Sequence, residues 1–178
     1  MASTRPPFRK IFYAGAGQSF ARHGSVFVMV YRARPAAELL RRREPWFQEC
    51  LDAPDASLGI LSIIDTMSGL LPDVASREVT TEQLSRMGKK IRFVCHAVEG
   101  SGVRGVAVRA LLRGVALIAR VKFPFVFFPT AEEAVRWVVV QPGVVAGDAT
   151  AHRRDLMAFV TELRAQQAAL NEQPSLSG

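Results

Sequence analysis

Leu58-Gly59-Ile60-Leu61-Ser62-Ile63-Ile64-Asp65 is a run whose apolar side chains fall on both faces of an extended chain, and it ends in an acid. Such a strand belongs inside a sheet covered on both sides, the usual setting of parallel strands in α/β domains. Ser25 to Arg32 (SVFVMVYR) upstream and Ile91 to Val98 (IRFVCHAV) downstream share that character, and Phe125 to Phe128 adds a short strand behind Pro124. Between them the period lengthens. From Pro35, apolar residues recur at helical spacing (Leu40, Phe47, Leu51), with Arg41, Arg42 and Arg43 on the wetter side and Pro45 predicting a kink or a split. Segment 66–79 reads as loop-rich, and Thr80 or Thr81 is expected to cap a short helix ending at Gly88. Val103 to Val121 reads as a long helix, Thr130 as the cap of a helix over Ala131 to Val139, and Ala151 to Leu170 as a last helix with the stripe Leu156, Phe159, Val160 and Leu163.

Before these elements, Ile11 to Ala14 reads as a strand. Gly15, Gly17 and Gly24 separate it from Ser25, which predicts an irregular hairpin. The fold class is therefore α/β: a small mixed sheet with an N-terminal hairpin, helix crossovers between parallel strands, and an extra C-terminal helix. A single domain over 8–170 is expected, with flexible tails at 1–7 and 171–178. Ligands of such sheets gather at the carboxyl ends of the strands, here near Asp65, Glu99 and Pro129.

Composition narrows the class. The 178 residues are 49% hydrophobic and 22% charged, enough for one core without a metal or disulfide staple. Cys50 and Cys95 match no metal or redox spacing, which suits a reducing compartment, and no signal peptide is visible; a cytoplasmic location is the expectation. Val103 to Val121 nears the length of a membrane span, but Arg104, Arg109, Arg113 and Arg120 argue against a transmembrane segment. The net charge of +7 is compatible with nucleic acid, an anionic membrane or an acidic partner, and also with a general preference for arginine. Nucleic acid is disfavoured because no aromatics interleave with Arg109, Arg113 and Arg120, which read as one solvated helix face.

The most specific local feature is the continuation of the opening strand, Ile63-Ile64-Asp65-Thr66-Met67-Ser68-Gly69-Leu70-Leu71. A strand delivers a carboxylate and two hydroxyls into a loop, where phosphorylation would add charge beside Asp65; Asp and Ser in such loops also serve simply to bond backbone. The element order over Ile11 to Val139, with a strand running into Asp-Thr-x-Ser-Gly-Leu, resembles the STAS or SpoIIAA-like family, anti-sigma-factor antagonists and their relatives. The looser STAS/SEC14-like group of small bacterial proteins is similar in its early hairpin and terminal helices. The resemblance implies a non-enzymatic regulatory or protein-interaction domain whose partner is a kinase or a regulatory protein. It implies a phosphorylatable Thr66 beside Asp65, with Ser68, Gly69 and Leu70 completing the loop. Met67 is an additional residue relative to that pattern and makes Ser68 a rival site.

Other candidates are weaker in pattern. Gly100-Ser101-Gly102 with Gly105 opens a helix where an anion could meet backbone N–H groups, with Ser101, Gly102, Arg104, Arg109 and Arg113 as possible contacts; a plain tight turn is the favoured reading. His23, in a turn, His96 and His152 each suit structural roles. His96 and Cys95 alternate on one strand and cannot share a metal. No metal and no cofactor are expected. The alternative function is a small-molecule or lipid-binding protein with a pocket at the strand carboxyl ends among Phe93, Phe125 and Phe127. A third reading, an enzyme with Asp65 and His96 as acid and base, requires both in one cleft. The run Val135 to Val145 belongs to the core or covers a homodimer surface.

Overall fold

The computed structural model describes residues 8–52, 58–65, 72–100, 102–145 and 147–172. Three strands come first: β1 (Arg9–Ala14), β2 (Gln18–His23) and β3 (Val26–Tyr31). They form an antiparallel meander rather than the single hairpin expected. β2 escaped the sequence reading because QSFARH looks polar. Its Ser19 and His23 are nevertheless fully buried, since α6 (Ala149–Glu172) supplies partners for them. Gln167 Nε2 donates to Ser19 Oγ at 3.0 Å and to the Val30 carbonyl at 3.1 Å, and Asn171 holds the Ala16 carbonyl.

From β3 the chain alternates. Helices α1 (Ala37–Arg42) and α2 (Glu44–Leu51) lead to β4 (Leu58–Asp65), and α3 (Val74–Met87) with a 3-10 turn, Gly88–Lys90, leads to β5 (Ile91–Glu99). Then α4 (Val103–Ile118) leads to β6 (Phe125–Phe128), followed by α5 (Ala131–Val139) and α6. The strands lie in the order β1-β2-β3-β4-β5-β6, and the pairs β3/β4, β4/β5 and β5/β6 are parallel. Because each crossover steps one strand in the same direction, a single hand places α1 to α4 all on one face. There Leu40, Phe47, Leu84, Val108, Leu112 and Val115 pack on Phe20, Phe27, Ile60 and Val94. The chain covers the opposite face last, with Val135, Val138, Leu156, Phe159, Val160 and Leu163 from α5 and α6.

Pro45 splits the first helical segment as its missing N–H requires, at the α1–α2 junction. Thr130 caps α5 by accepting from the Glu133 N–H at 3.2 Å. The expected cap at Thr80 or Thr81 is corrected. α3 begins at Val74, and Asp73 Oδ1 accepts from the Ser76 N–H at 2.8 Å in its first turn. Thr80 and Thr81 sit inside the helix and donate to the Ser76 and Arg77 carbonyls, which lets two β-branched polar residues be tolerated there. No described helix is long and apolar enough to cross a membrane.

Candidate functional site

Register makes the site. Across the sheet, Phe20, Met29, Ser62, His96 and Phe127 are successive cross-strand partners and so share one face. Ser62 and His96 lie in the middle of that face, among Ile60, Ile64, Val94 and Val98. The two helices joined beyond β3 add a third polar group. Arg43 caps α1 and precedes α2, so the break enforced by Pro45 turns its side chain inward under the sheet. It is 5% exposed, not on the wetter side as expected. A signal for this was present: Arg43 falls three residues after Leu40 and four before Phe47, on the buried side of both.

These groups line a cavity of about 90 Å³ whose remaining walls are largely apolar, among them Leu40, Phe47, Ile60, Leu84, Leu112 and Phe125. Arg43 Nε and Nη2 donate to Gln83 Oε1 at 3.0 and 2.8 Å, and Nη1 donates to Tyr31 Oη at 2.8 Å and approaches Met29 Sδ at 3.3 Å. Gln83 is itself fixed, its Nε2 donating to the Leu40 carbonyl at 2.8 Å. Every partner of the guanidinium is neutral. No carboxylate pairs with it among the described residues, and neighbouring Glu44 is turned to Arg86 instead.

His96 is 6% exposed, stacks on the Phe127 ring with centroids 5.3 Å apart, and meets the tilted Phe125 ring at 4.9 Å. Neither Nδ1 nor Nε2 has a hydrogen-bond partner among the described residues. Burial, helped by the Arg43 charge, drives its pKa down to about 3, so the ring is neutral at pH 7. A neutral imidazole still offers one donor and one acceptor. A buried cation with no counter-ion and an imidazole with both nitrogens idle are each costly, and they sit on the wall of the same cavity.

The other face holds a second polar cluster. His23 is completely buried on β2, not in a turn as expected, and its Nε2 lies 2.7 Å from Asp155 Oδ2 on α6. Arg9 bonds the other oxygen of Asp155, and the His152 ring stands edge-on to His23 at 5.1 Å. Burial lowers the His23 pKa, outweighing the opposing Asp155 hydrogen bond. Burial alone would raise Asp155, but its hydrogen bonds and the charges of His23 and Arg9 hold it below the usual carboxylate range. This cluster pins β1 and β2 to α6, a structural fastening drawn from residues 146 positions apart in the case of Arg9.

At the strand carboxyl ends, Asp65 pairs in register with Glu99 and lines, with Arg32 and Arg164, a polar hollow of about 300 Å³. Glu99 Oε1 accepts from the Ala131 N–H at 2.8 Å, and Oε2 contacts Arg164. Thr66, Ser68, Gly69, Leu70 and Ser101 lie outside the described residues. Gly102 opens α4 with φ +82°, a left-handed turn that favours glycine, and Arg104 follows it on the first turn. Arg109 and Arg113 continue along α4, Arg113 over the Phe127 ring at 5.2 Å. Arg120 does not join them, because α4 ends at Ile118 and Arg120 turns away with φ 51°.

Two expectations are overturned by strand alternation. Asp65 shares the face of Ile63, beneath α6, whereas His96 shares the face of Ser62, beneath α3 and α4; an acid–base pair of Asp65 and His96 therefore has no common cleft. Phe93 likewise points to the α5 side, edge-on to Trp137 at 5.3 Å, away from Phe125 and Phe127. The apolar cavity lies between the sheet and α1, α3 and α4 and is not built around Phe93. Burial pushes the Cys50 thiol up to about 11 and Cys95 to about 12, so neither is a ready nucleophile. Among the described residues no group of three His, Cys, Asp or Glu side chains could hold a metal ion. Compared with known proteins, the chain matches no family model, no curated protein and no solved structure.

Proposed function

We propose that this chain is a non-enzymatic binding protein for a small, mainly apolar molecule carrying one anionic head. The observation that supports it is the pairing of Arg43 and His96 on one apolar cavity wall. The guanidinium has only neutral partners among the described residues, and the imidazole has none. A carboxylate or phosphate monoester head would give the guanidinium its missing counter-ion and accept from His96, and its hydrocarbon remainder would meet Leu40, Phe47, Leu84 and Leu112.

Titration calorimetry with butanoate, hexanoate and octanoate, each beside the matching alcohol, tests this. The acids should bind at least tenfold more tightly than the alcohols, and native mass spectrometry of gently purified protein should show a bound acid. No bound species and no binding by any member of the series would overturn the reading.

A regulatory role is the second proposal, favoured by Asp65 leaving the sheet beside Glu99 and Arg164 at the carboxyl ends of the strands. A STAS-like partner switch would place phosphate on Thr66 or Ser68, which phosphosite mapping of the native protein reads. Both residues unmodified under every growth condition tried would remove it.

A further inference from the structure

The α4 helix carries two apolar faces, and only one of them is covered. Gly105, Val108, Leu112, Val115 and Ala116 are buried against the sheet. At roughly 100° per residue, Val103, Val106, Ala107, Ala110, Gly114, Leu117 and Ile118 share the opposite arc. No polar side chain interrupts it. Val103 is 85% exposed, Leu117 80% and Ile118 72%, so the arc projects along the full length of the helix. An apolar face of this length is normally covered, whereas nothing in this chain covers it among the described residues.

The charge around the arc selects the occupant. Between residues 100 and 131 the chain holds Arg104, Arg109, Arg113, Arg120 and Lys122 and no carboxylate. Arg104 flanks the arc on one shoulder and Arg109 with Arg113 on the other. Glu78 and Glu82 reach the groove beside Leu111 and Ile118 from α3, accompanied there by Arg77. A second copy docking through this arc would bring a cation-rich helix against its own kind. A bilayer of anionic lipids instead offers hydrocarbon to the exposed Val, Leu and Ile and phosphate to the arginines that flank them.

We infer that the outer face of α4 docks the protein on anionic membrane surfaces, lying in the plane of the headgroups without spanning the bilayer. This surface is independent of the cavity, although Val108, Leu112 and Val115 of the same helix line that cavity from its other side.

Co-sedimentation with vesicles tests the inference, using equal parts phosphatidylglycerol and phosphatidylcholine against phosphatidylcholine alone. The full chain should bind the anionic vesicles at least tenfold more tightly, and 0.5 M salt should remove most of that preference. The double substitution Leu117→Ser and Ile118→Ser changes only exposed side chains and should reduce binding tenfold or more, whereas Arg43→Met should leave it unchanged. Sedimentation equilibrium of the same samples supplies a further check. Absence of vesicle binding, equal binding by the double variant, or a concentration-dependent dimer abolished by the double variant would each overturn the proposal; the last would assign the face to a second copy.

Discussion

Replacing Arg43 with methionine separates a ligand site from a structural keystone. The substitution removes two charge-assisted bonds to Gln83 and one to Tyr31, each worth about 1.5–3 kcal/mol by the usual measure, and a weaker contact to Met29. Against that loss stands the several kcal/mol that desolvating a cation without a counter-ion costs. Removing Arg43 strands no buried carboxylate, the feature that makes breaking a buried ion pair cost about 3–5 kcal/mol. Gln83 keeps its bond to the Leu40 carbonyl, so its amide stays placed with one idle oxygen. The two sides nearly cancel, and the unliganded variant should lie within about 2 kcal/mol of the parent, a midpoint shift of roughly 4–8 °C at most for a chain of this size. Binding behaves differently, since the head group loses its cation outright. The tightest acid of the calorimetric series should weaken about a hundredfold, near 3 kcal/mol. Urea unfolding and calorimetry on the same preparation give both numbers. A loss of more than about 4 kcal/mol in stability with acid binding unchanged would refute the reasoning and make Arg43 a purely internal brace.

Three other outcomes follow from the geometry. With its pKa near 3, His96 is neutral in the folded chain, whereas unfolded it titrates near 6.5; above pH 6.5 its contribution is complete, and as pH falls the unfolded chain takes up the proton first. Urea stability should fall by up to about 1.4 kcal/mol per pH unit between 6.5 and 3 from this group, and His96→Leu should flatten that part of the profile. Asp155→Asn weakens the fastening to Arg9 and His23; because Asp155 is partly exposed, the cost should be about 1–2 kcal/mol, with hydrogen exchange rising first in β1. Unchanged exchange in β1 would count against the fastening. Gly59→Ala places a Cβ 2.1 Å from Phe93 Cζ near the start of β4, and should destabilise by about 1–3 kcal/mol or more, with Phe93→Leu in the same chain recovering part of it by thermal unfolding.

The strands that were readable in the sequence are those whose burial is satisfied by hydrocarbon. LGILSIID, IRFVCHAV and SVFVMVYR are covered on both faces by aliphatic helices, so hydrophobicity and strand order coincide. β2 was not readable for the opposite reason. Its Ser19 and His23 are buried because Gln167 and Asp155, more than 130 residues downstream, meet them with hydrogen bonds, and local composition carries no trace of so distant a partner. Arg43 stands between these cases. Its spacing from Leu40 and Phe47 pointed inward, but its charge read outward, and charge is the stronger signal for an arginine in general. The sequence-level rule failed where a buried cation shares a cavity with an imidazole whose nitrogens are idle. A departure of that kind costs stability in the empty protein, and anion binding is what would recover it. The loss belongs to the unliganded state alone, so the protein should gain more stability from a fitting acid than the contacts of its hydrocarbon tail can account for.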